Sequence, residues 1–362
     1  MKGTQKLKLI LGLTSTTFLI IAVVVIIFFY LKRKSKKEEA NDIEKTEHKH
    51  GDHGSQIEDL VTFQGGQDLT IYDLLDAPGE VIWKSNYGTL YKALLQRNNT
   101  VRLLRFLRPV CTARVKDFSD VIQLLGCIRH PNLVPLLGFY VGPRGEKLLV
   151  YPFYKRGNLA EFIRDGNDES HKWINIIRIS NGIAKGLDYL HTGFQNPIIH
   201  GNLKSKNILL DRSYQPYISD CGLHLLLYPT AGQEMLEASA AEGYKAPELI
   251  KIKDASEETD IYSFGIILLE LLSGKEPINE NPTPDDDFYL PTFMRNAVLD
   301  HRITDMYHPD MLQCNSSDGR CLVSEEDILK FFQLAMACCS ASPSLRPNTK
   351  QILMKLEEII GI

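Results

Sequence analysis

The chain has 362 residues, 44% of them hydrophobic and 24% charged, and its formal net charge is −4. That length and apolar share suffice for one large domain or two lobes on a common core, which excludes a chain disordered throughout. The slightly acidic balance gives no general attraction to nucleic acid, so no nucleic-acid partner is expected and any basic patch must be local.

Residues 1–8 form a short N-terminal segment. From Leu9 to Leu31 no residue is charged, and an apolar run of about 20 residues matches a helix crossing a hydrocarbon core of about 30 Å, so a transmembrane helix is expected over 9–31. A cleaved secretory signal, the competing reading, has an apolar region of about 7–15 residues and a small-residue cleavage site, which FFYLKRK does not offer. The basic run Lys32–Lys37 outweighs Lys2, Lys6 and Lys8. The positive-inside rule then sets all that follows in the cytoplasm, giving a single-pass protein of the plasma membrane. The run serves as a stop-transfer flank and is also attracted to anionic headgroups. The few residues before the span cannot form a ligand-binding domain, so sensing outside the cell is expected to need a partner.

A basic juxtamembrane and polar linker is expected over 32–68. Glu38–Gln56 is nearly free of large apolar groups and reads as a flexible tether. His48, His50 and His53 lie in this tether and are expected to be solvated rather than metal-bound, since nothing around them supplies a second shell. Seven cysteines, Cys111, Cys127, Cys221, Cys314, Cys321, Cys338 and Cys339, lack metal-ligand spacing and cannot all pair, which fits a reducing compartment. Cys314 and Cys321 flank a polar loop and could bridge only in an oxidising one.

After Leu60 short apolar runs broken by NYG and RNN predict strands joined by hairpins, hence a sheet-rich first lobe over 69–156. From Gly157 the pattern turns helical. Trp173–His191 and Asp260–Gly274 carry apolar residues three and four apart, predicting a helical second lobe over 157–362. A last helix near NTKQILMKLEEIIG has Asn348 or Thr349 as its N-cap.

In order along the chain stand HGNLKSKN, SDCG, YKAPE, DIYSFG and RP. With the sheet lobe before them they make the stretch from about Leu69 to Glu358 resemble the eukaryotic protein kinase domain. FQGGQDLTIYDLLDAPGEVI, HGNLKSKNILLD and GYKAPEL are most similar to plant leucine-rich-repeat receptor-like kinases, in particular the inactive pollen-receptor and transmembrane-kinase-like groups. The resemblance implies an α+β, bilobal kinase-like fold with a small β-rich N-lobe and a large helical C-lobe, and ATP with Mg²⁺ or Mn²⁺ as the cofactor set.

Several groups that the resemblance implies are altered. The glycine-rich loop aligns with Trp83–Gly88, where only Gly88 survives and Ser85 stands for a glycine; bulk there compromises a backbone cradle for phosphate. The strand VRLLRFL lacks the phosphate-pairing lysine. Arg105 is its best positional match, with Leu104 the ungapped alternative, and an arginine is not an equivalent substitute. Val121 stands where the partner glutamate belongs. Asn202 replaces the catalytic aspartate, and an amide cannot accept a proton at neutral pH; a lost base removes about 10²–10⁴-fold in rate. Gly201 removes the arginine that would receive an activation-loop phosphate.

Other groups remain. Lys204 matches the catalytic-loop lysine, and Asn207 and Asp220 match the two metal-binding positions, a weak Mg²⁺ site at most. Cys221 replaces the phenylalanine after Asp220. Tyr151 is expected to close the back of the nucleotide pocket, with Pro152–Tyr154 as hinge. Glu248 and Arg346 are expected to pair, with Asp260 as a framework residue. In the activation-loop segment Leu223–Glu242, the run Leu223–Tyr228 is expected to dock as a helix on the lobe, the alternative being a partner surface.

Two readings follow. In the first the chain is a membrane-anchored receptor-like pseudokinase, a scaffold or allosteric partner of other receptor-like kinases or signalling proteins, with nucleotide binding left open. In the second it is a slow, atypical Ser/Thr kinase in which Arg105 or Lys84 takes over the phosphate and Asn202 only orients the hydroxyl.

Overall fold

A computed structural model describes residues 59–112, 115–165, 169–250, 254–279, 288–312 and 323–360. The expected membrane span, the basic run, the tether histidines, Cys314 and Cys321 lie outside the described residues. Among the described residues no helix is long and apolar enough to cross a membrane.

Six strands form one antiparallel sheet in the order β1-β5-β6-β4-β3-β2. They are β1 (Asp59–Thr62), β2 (Gly79–Lys84), β3 (Gly88–Leu95), β4 (Thr100–Leu107), β5 (Gly138–Val141) and β6 (Lys147–Pro152). Strand β1 falls inside the stretch read as linker: Asp59–Thr62 pairs with Gly138–Val141, so Leu60 and Val61 add an edge strand rather than extend the tether. Helix α1 (Ile71–Leu75) follows, started by the Thr70 side chain, which accepts from the Asp73 amide. The β3–β4 register sets Leu90 opposite Arg105. Strand alternation then turns Leu103 and Arg105 to one face, whereas Leu104 joins Ala93, Leu95 and Val150 in an apolar cluster on the other. Helix α2 (Val115–Cys127) buries Ile122 and Leu125 against the sheet and the second lobe.

The second lobe is helical, as expected. It contains α3 (Leu159–Arg164), α4 (Trp173–Thr192), the short ladder β7 (Ile208–Leu210) and β8 (Pro216–Ile218), then α5 (Pro229–Ala241), α6 (Glu257–Ser273), α7 (Leu290–Leu299), α8 (Glu325–Cys338) and α9 (Thr349–Ile360). A capping box of Asn158 and Glu161 starts α3. Helix α6 is buried from Thr259 to Ser273, which is why its sequence is largely apolar, with Asp260 and Glu270 as buried acids. It ends at Gly274, whose φ of 70° a side chain would resist. Asn348 caps α9: its Oδ1 accepts from the Gln351 amide at 3.0 Å. One core runs through both lobes, from Leu107 and Leu149 in the sheet to Ile183, Phe264 and Phe331 below.

The run Leu223–Tyr228 docks as a 3₁₀ turn, Leu223–Leu226, with Leu223 and Leu226 buried. Thr112 bridges to Leu227, and the Tyr228 amide donates to the Cys111 carbonyl at 2.9 Å. The 13-residue helix α5 follows within the segment set at the activation-loop position.

Candidate functional site

Between sheet and helices lies a cavity of about 440 Å³, lined by residues that include Trp83, Tyr87, Arg105, Asn202, Lys204 and Asp220. A larger cavity of about 530 Å³ lies beside it, against Ser205, Glu242 and Glu270. The chemical groups singled out from the sequence converge on the smaller one.

Its roof is β4. Of the two candidates for the lysine position, Arg105 faces the cleft and Leu104 lies in the apolar cluster behind the sheet. Arg105 Nη2 donates to Asp220 Oδ2 at 2.8 Å, and both side chains are 6% exposed. Burial, the largest single influence, would lower the guanidinium pKa, but the charge and hydrogen bond of Asp220 together with Tyr87 and Tyr151 outweigh it and raise the value. Nε and Nη1 of Arg105 are buried without a hydrogen-bond partner. Helix α2 offers Val121, which packs on the core and supplies no carboxylate.

The loop between β2 and β3 closes on itself. The Ser85 amide donates to the Gly88 carbonyl at 2.8 Å, and the Gly88 amide to Ser85 Oγ at 3.2 Å, so both Ser85 groups serve the turn. Gly88 is required by the sheet: a Cβ there would stand 2.3 Å from the Phe106 carbonyl oxygen. A bulge between Val81 and Trp83 precedes it. Trp83 and Tyr87 face each other with ring centroids 6.2 Å apart, and Lys204 Nζ lies 5.9 Å from the centre of the Trp83 ring. Tyr87 is buried, which pushes its phenol up to about 12, with Arg105 pulling the other way. Bulky aromatics cover the cleft in place of glycine backbone.

The floor is the loop His200–Asn207, and Asp260 at the head of α6 positions it. One Asp260 oxygen accepts from the His200 amide at 2.7 Å and lies 3.0 Å from His191 Nε2; the other accepts from the Gly201 amide at 2.9 Å. Burial opposes the Asp260 charge, but the hydrogen bonds and charge of His191 and the field of His200 hold its carboxyl below the usual range. The Asn202 amide donates to His200 Nδ1 at 3.1 Å, while Asn202 Oδ1 is buried with no hydrogen-bond partner. Asn207 Nδ2 donates to the Asn202 carbonyl at 2.8 Å. Lys204 Nζ donates to Glu242 Oε1 at 2.6 Å, and Lys206 Nζ lies 3.0 Å from the other Glu242 oxygen. Burial raises the Glu242 pKa, but the two lysines outweigh it and hold the carboxyl below its ordinary value.

Behind the cleft Tyr151 and Asp220 line a small cavity of about 60 Å³. Burial pushes the Tyr151 phenol and the Cys221 thiol up, and the Cys221 Sγ reaches only the Ile218 carbonyl, at 3.6 Å. Far from the cleft, Arg346 pairs bidentately with Glu248 at 2.6 and 2.7 Å and donates to the Glu258 and Ser340 carbonyls. That pair was expected, and it serves the fold.

Bound Mg²⁺ or Mn²⁺ would need both Asn207 and Asp220 as oxygen ligands. Both line the cavity, and one Asp220 oxygen is taken by Arg105, so a metal held there would share that carboxylate with the guanidinium. Sequence reasoning missed Trp83 and Tyr87 as a lid, and missed Lys206 and Glu242. Lys206 was visible two residues after Lys204; nothing local signals Glu242, 38 residues from Lys204 in sequence.

Residues 78–356 match the protein tyrosine and serine/threonine kinase family. Among curated proteins of Arabidopsis thaliana, the kinase-like protein TMKL1 is 36% identical over 323 residues, 89% of this chain. A probable leucine-rich repeat receptor-like protein kinase, IMK3, is 40% identical over 301 residues, 83% of the chain. A probable inactive receptor kinase is 36% identical over 290 residues, 79% of the chain. The chain spans 46, 37 and 42% of those relatives' own lengths. Two solved structures are similar. The kinase domain of maize sucrose-induced receptor kinase 1, bound to AMP-PNP, has a TM-score of 0.71 at 29% identity, covering 83% of this chain and 99% of that one. The pseudokinase domain of BIR2, an immune regulator of the RLK/Pelle family, has a TM-score of 0.68 at 30% identity, covering 85 and 91%.

Proposed function

From the premise that this chain belongs to the protein tyrosine and serine/threonine kinase family, among the plant receptor-like kinases and with their bilobal fold, we propose that it is a pseudokinase working by protein contact. The observation that carries this is the buried Arg105–Asp220 ion pair. A carboxylate paired with an internal guanidinium offers less of its charge to a metal, and the asparagine at position 202 supplies no base. Phosphoryl transfer depends on positioned metal and charge neutralisation, and both are diverted here. Inactive relatives and a pseudokinase neighbour support the same reading.

In this proposal the apolar stretch 9–31 anchors the chain as a single span in the plasma membrane, and 32 onward is a cytoplasmic basic and polar segment that gives way to β1 at Asp59. The lobes over 69–156 and 157–362 then form a scaffold or allosteric partner for other receptor-like kinases. The experiment is co-precipitation of co-expressed receptor-like kinases with the wild-type chain and with an Arg105→Met/Asp220→Leu double variant, which fills the same space without charge. Equal recovery is expected. Recovery that needs the charged pair or added nucleotide contradicts the proposal.

One observation favours the second reading, a slow Ser/Thr kinase: Lys204, Asn207 and Asp220 still line one cavity. In that case Asp220→Ala removes measurable phosphotransfer, whereas the proposal expects nothing to remove.

A further inference from the structure

On a chain whose formal net charge is −4, a basic surface has to be local. One starts beside the end of β1. Arg129, just past α2, donates from Nη2 to the Gln64 and Leu136 carbonyls, at 3.0 Å each, and from Nη1 to the Ile128 carbonyl at 2.6 Å. Its neighbour His130 stacks on Tyr189 of α4 with ring centroids 5.1 Å apart, and the Lys185 charge adds to burial in holding that imidazole below its ordinary pKa. Two turns back along α4, Arg178 Nη1 donates to the Ser213 carbonyl at 3.1 Å, in the turn between β7 and β8 that also carries Arg212. Arg156 lies over Tyr214 of the same turn, its guanidinium carbon 4.6 Å from the ring centre.

These side chains form a stripe of one sign. Lys185, Arg178, Arg212 and Arg156 are exposed. Among the described residues none of the five pairs with a carboxylate: Arg129 and Arg178 spend donors on carbonyls and on the Asn175 side-chain oxygen, which leaves their charge uncompensated. The acids whose interactions place them on the stripe are Asp188, near His130, Asp211, whose Oδ1 accepts from the Ser213 and Gln215 amides, and Glu169, which Lys172 matches. Lys155 and Glu161 lie at the edge of the cleft and offset each other. A surplus of positive charge remains.

The form of the stripe selects the ligand class. Capture of a single phosphorylated or carboxylate side chain needs a guanidinium fork free to bind it from two nitrogens, and here Arg129 and Arg178 are turned onto the chain itself. An extended row of charge fits a planar anionic surface, which responds to charge rather than to hydrogen-bond geometry. The row also begins at the Gln64 carbonyl, next to the strand through which the polar stretch Lys32–Glu58 joins the sheet. On coil statistics that stretch keeps β1 within about 30 Å of the end of the apolar run.

We propose that the stripe Arg129, Lys185, Arg178, Arg212 and Arg156 docks on the anionic cytoplasmic face of the bilayer, with phosphatidylserine-type headgroups as its ligand. This rests on the reading of 9–31 as a membrane span. Docking presents the same faces of the lobes to every partner in that membrane.

The test uses the full chain in nanodiscs of phosphatidylcholine alone or mixed with phosphatidylserine, with amide hydrogen exchange read in the turn Asp211–Gln215. Slower exchange in the phosphatidylserine discs is expected at low salt, and its loss at high salt. Each basic residue near an anionic surface shifts the ratio of docked to free chain about fivefold, so the triple variant Arg156→Gln/Arg178→Gln/Arg212→Gln is expected to lower that ratio about 100-fold and to abolish the protection. The triple variant with lysine at the same positions keeps the charge; its protection is expected to persist, which separates loss of charge from a folding defect. Equal exchange in the two lipids, or protection that survives in the glutamine variant, overturns the proposal. Protection conferred by a soluble acidic peptide in phosphatidylcholine discs, with none from phosphatidylserine, also overturns it and assigns the stripe to a protein partner. Release of the chain from vesicles by alkaline carbonate overturns the membrane-span reading instead, so the two failures are distinct.

Discussion

At the scale of single residues, a buried cation on β4, Arg105, finds its counter-ion within the chain. Arg105 and Asp220 are nearly sealed from water, and a buried pair that loses one member leaves the other charge uncompensated. Arg105→Ala is expected to cost about 3–5 kcal/mol in urea unfolding, and Arg105→Met with Asp220→Leu to recover most of it. Additive losses in the double variant would contradict the pairing. A second buried acid gives a pH signature. Burial pushes the Glu270 carboxyl up to about 8, against hydrogen bonds from Tyr244 and Ser205 that lower it. The folded chain then keeps this proton up to about pH 8, whereas the unfolded chain releases it near the ordinary value of 4.5. The folded state binds more protons over that window, so stability falls as pH rises through it. Unfolding midpoints between pH 5 and 8 should show a flatter slope for Glu270→Gln than for wild type. The identities of Asn202, Gly201 and Val121 were legible in sequence because each replaces a residue of fixed chemistry. That Asp220 would pair with Arg105 was not, since the sequence names neither the direction of a side chain nor a contact 115 residues away.

Among elements, those with a periodic pattern were legible and those decided by tertiary contact were not. Helix α6 announced itself by an apolar run ending in glycine, and Asn348 by its distance from the last helix. Helix α5 carries Pro229, Gly232 and small residues, a weak helical signal, and its shape is set by packing of Ala231 and Met235 on the lobe. Strand β1 was hidden because four residues are too few for alternation to register against a polar flank. Close approach of α6 and α8 depends on Gly265, where a Cβ would stand 2.7 Å from Cys339 Sγ and 3.0 Å from the Ala335 carbonyl. Gly265→Val is therefore expected to cost at least about 1–3 kcal/mol by overpacking, read as a lowered urea midpoint. An unchanged midpoint would mean that the two helices separate freely.

For the whole molecule, the parts that hold the family's fold are kept and those that would do its chemistry are turned inward. Glu248 grips Arg346, Asp260 grips the loop at His200, and one core joins the lobes. In the cleft, Arg105 holds Asp220, Glu242 holds Lys204 and Lys206, and Trp83 lies against Lys204. In the proposed reading these internal partners stand in for the metal and the phosphates. The most direct measurement is transfer of labelled γ-phosphate from ATP, by the full chain, to itself and to a generic protein substrate, in Mg²⁺ and in Mn²⁺, beside the Asp220→Ala variant. The account predicts no incorporation above that of the variant in either metal. Incorporation by wild type that Asp220→Ala abolishes would contradict it.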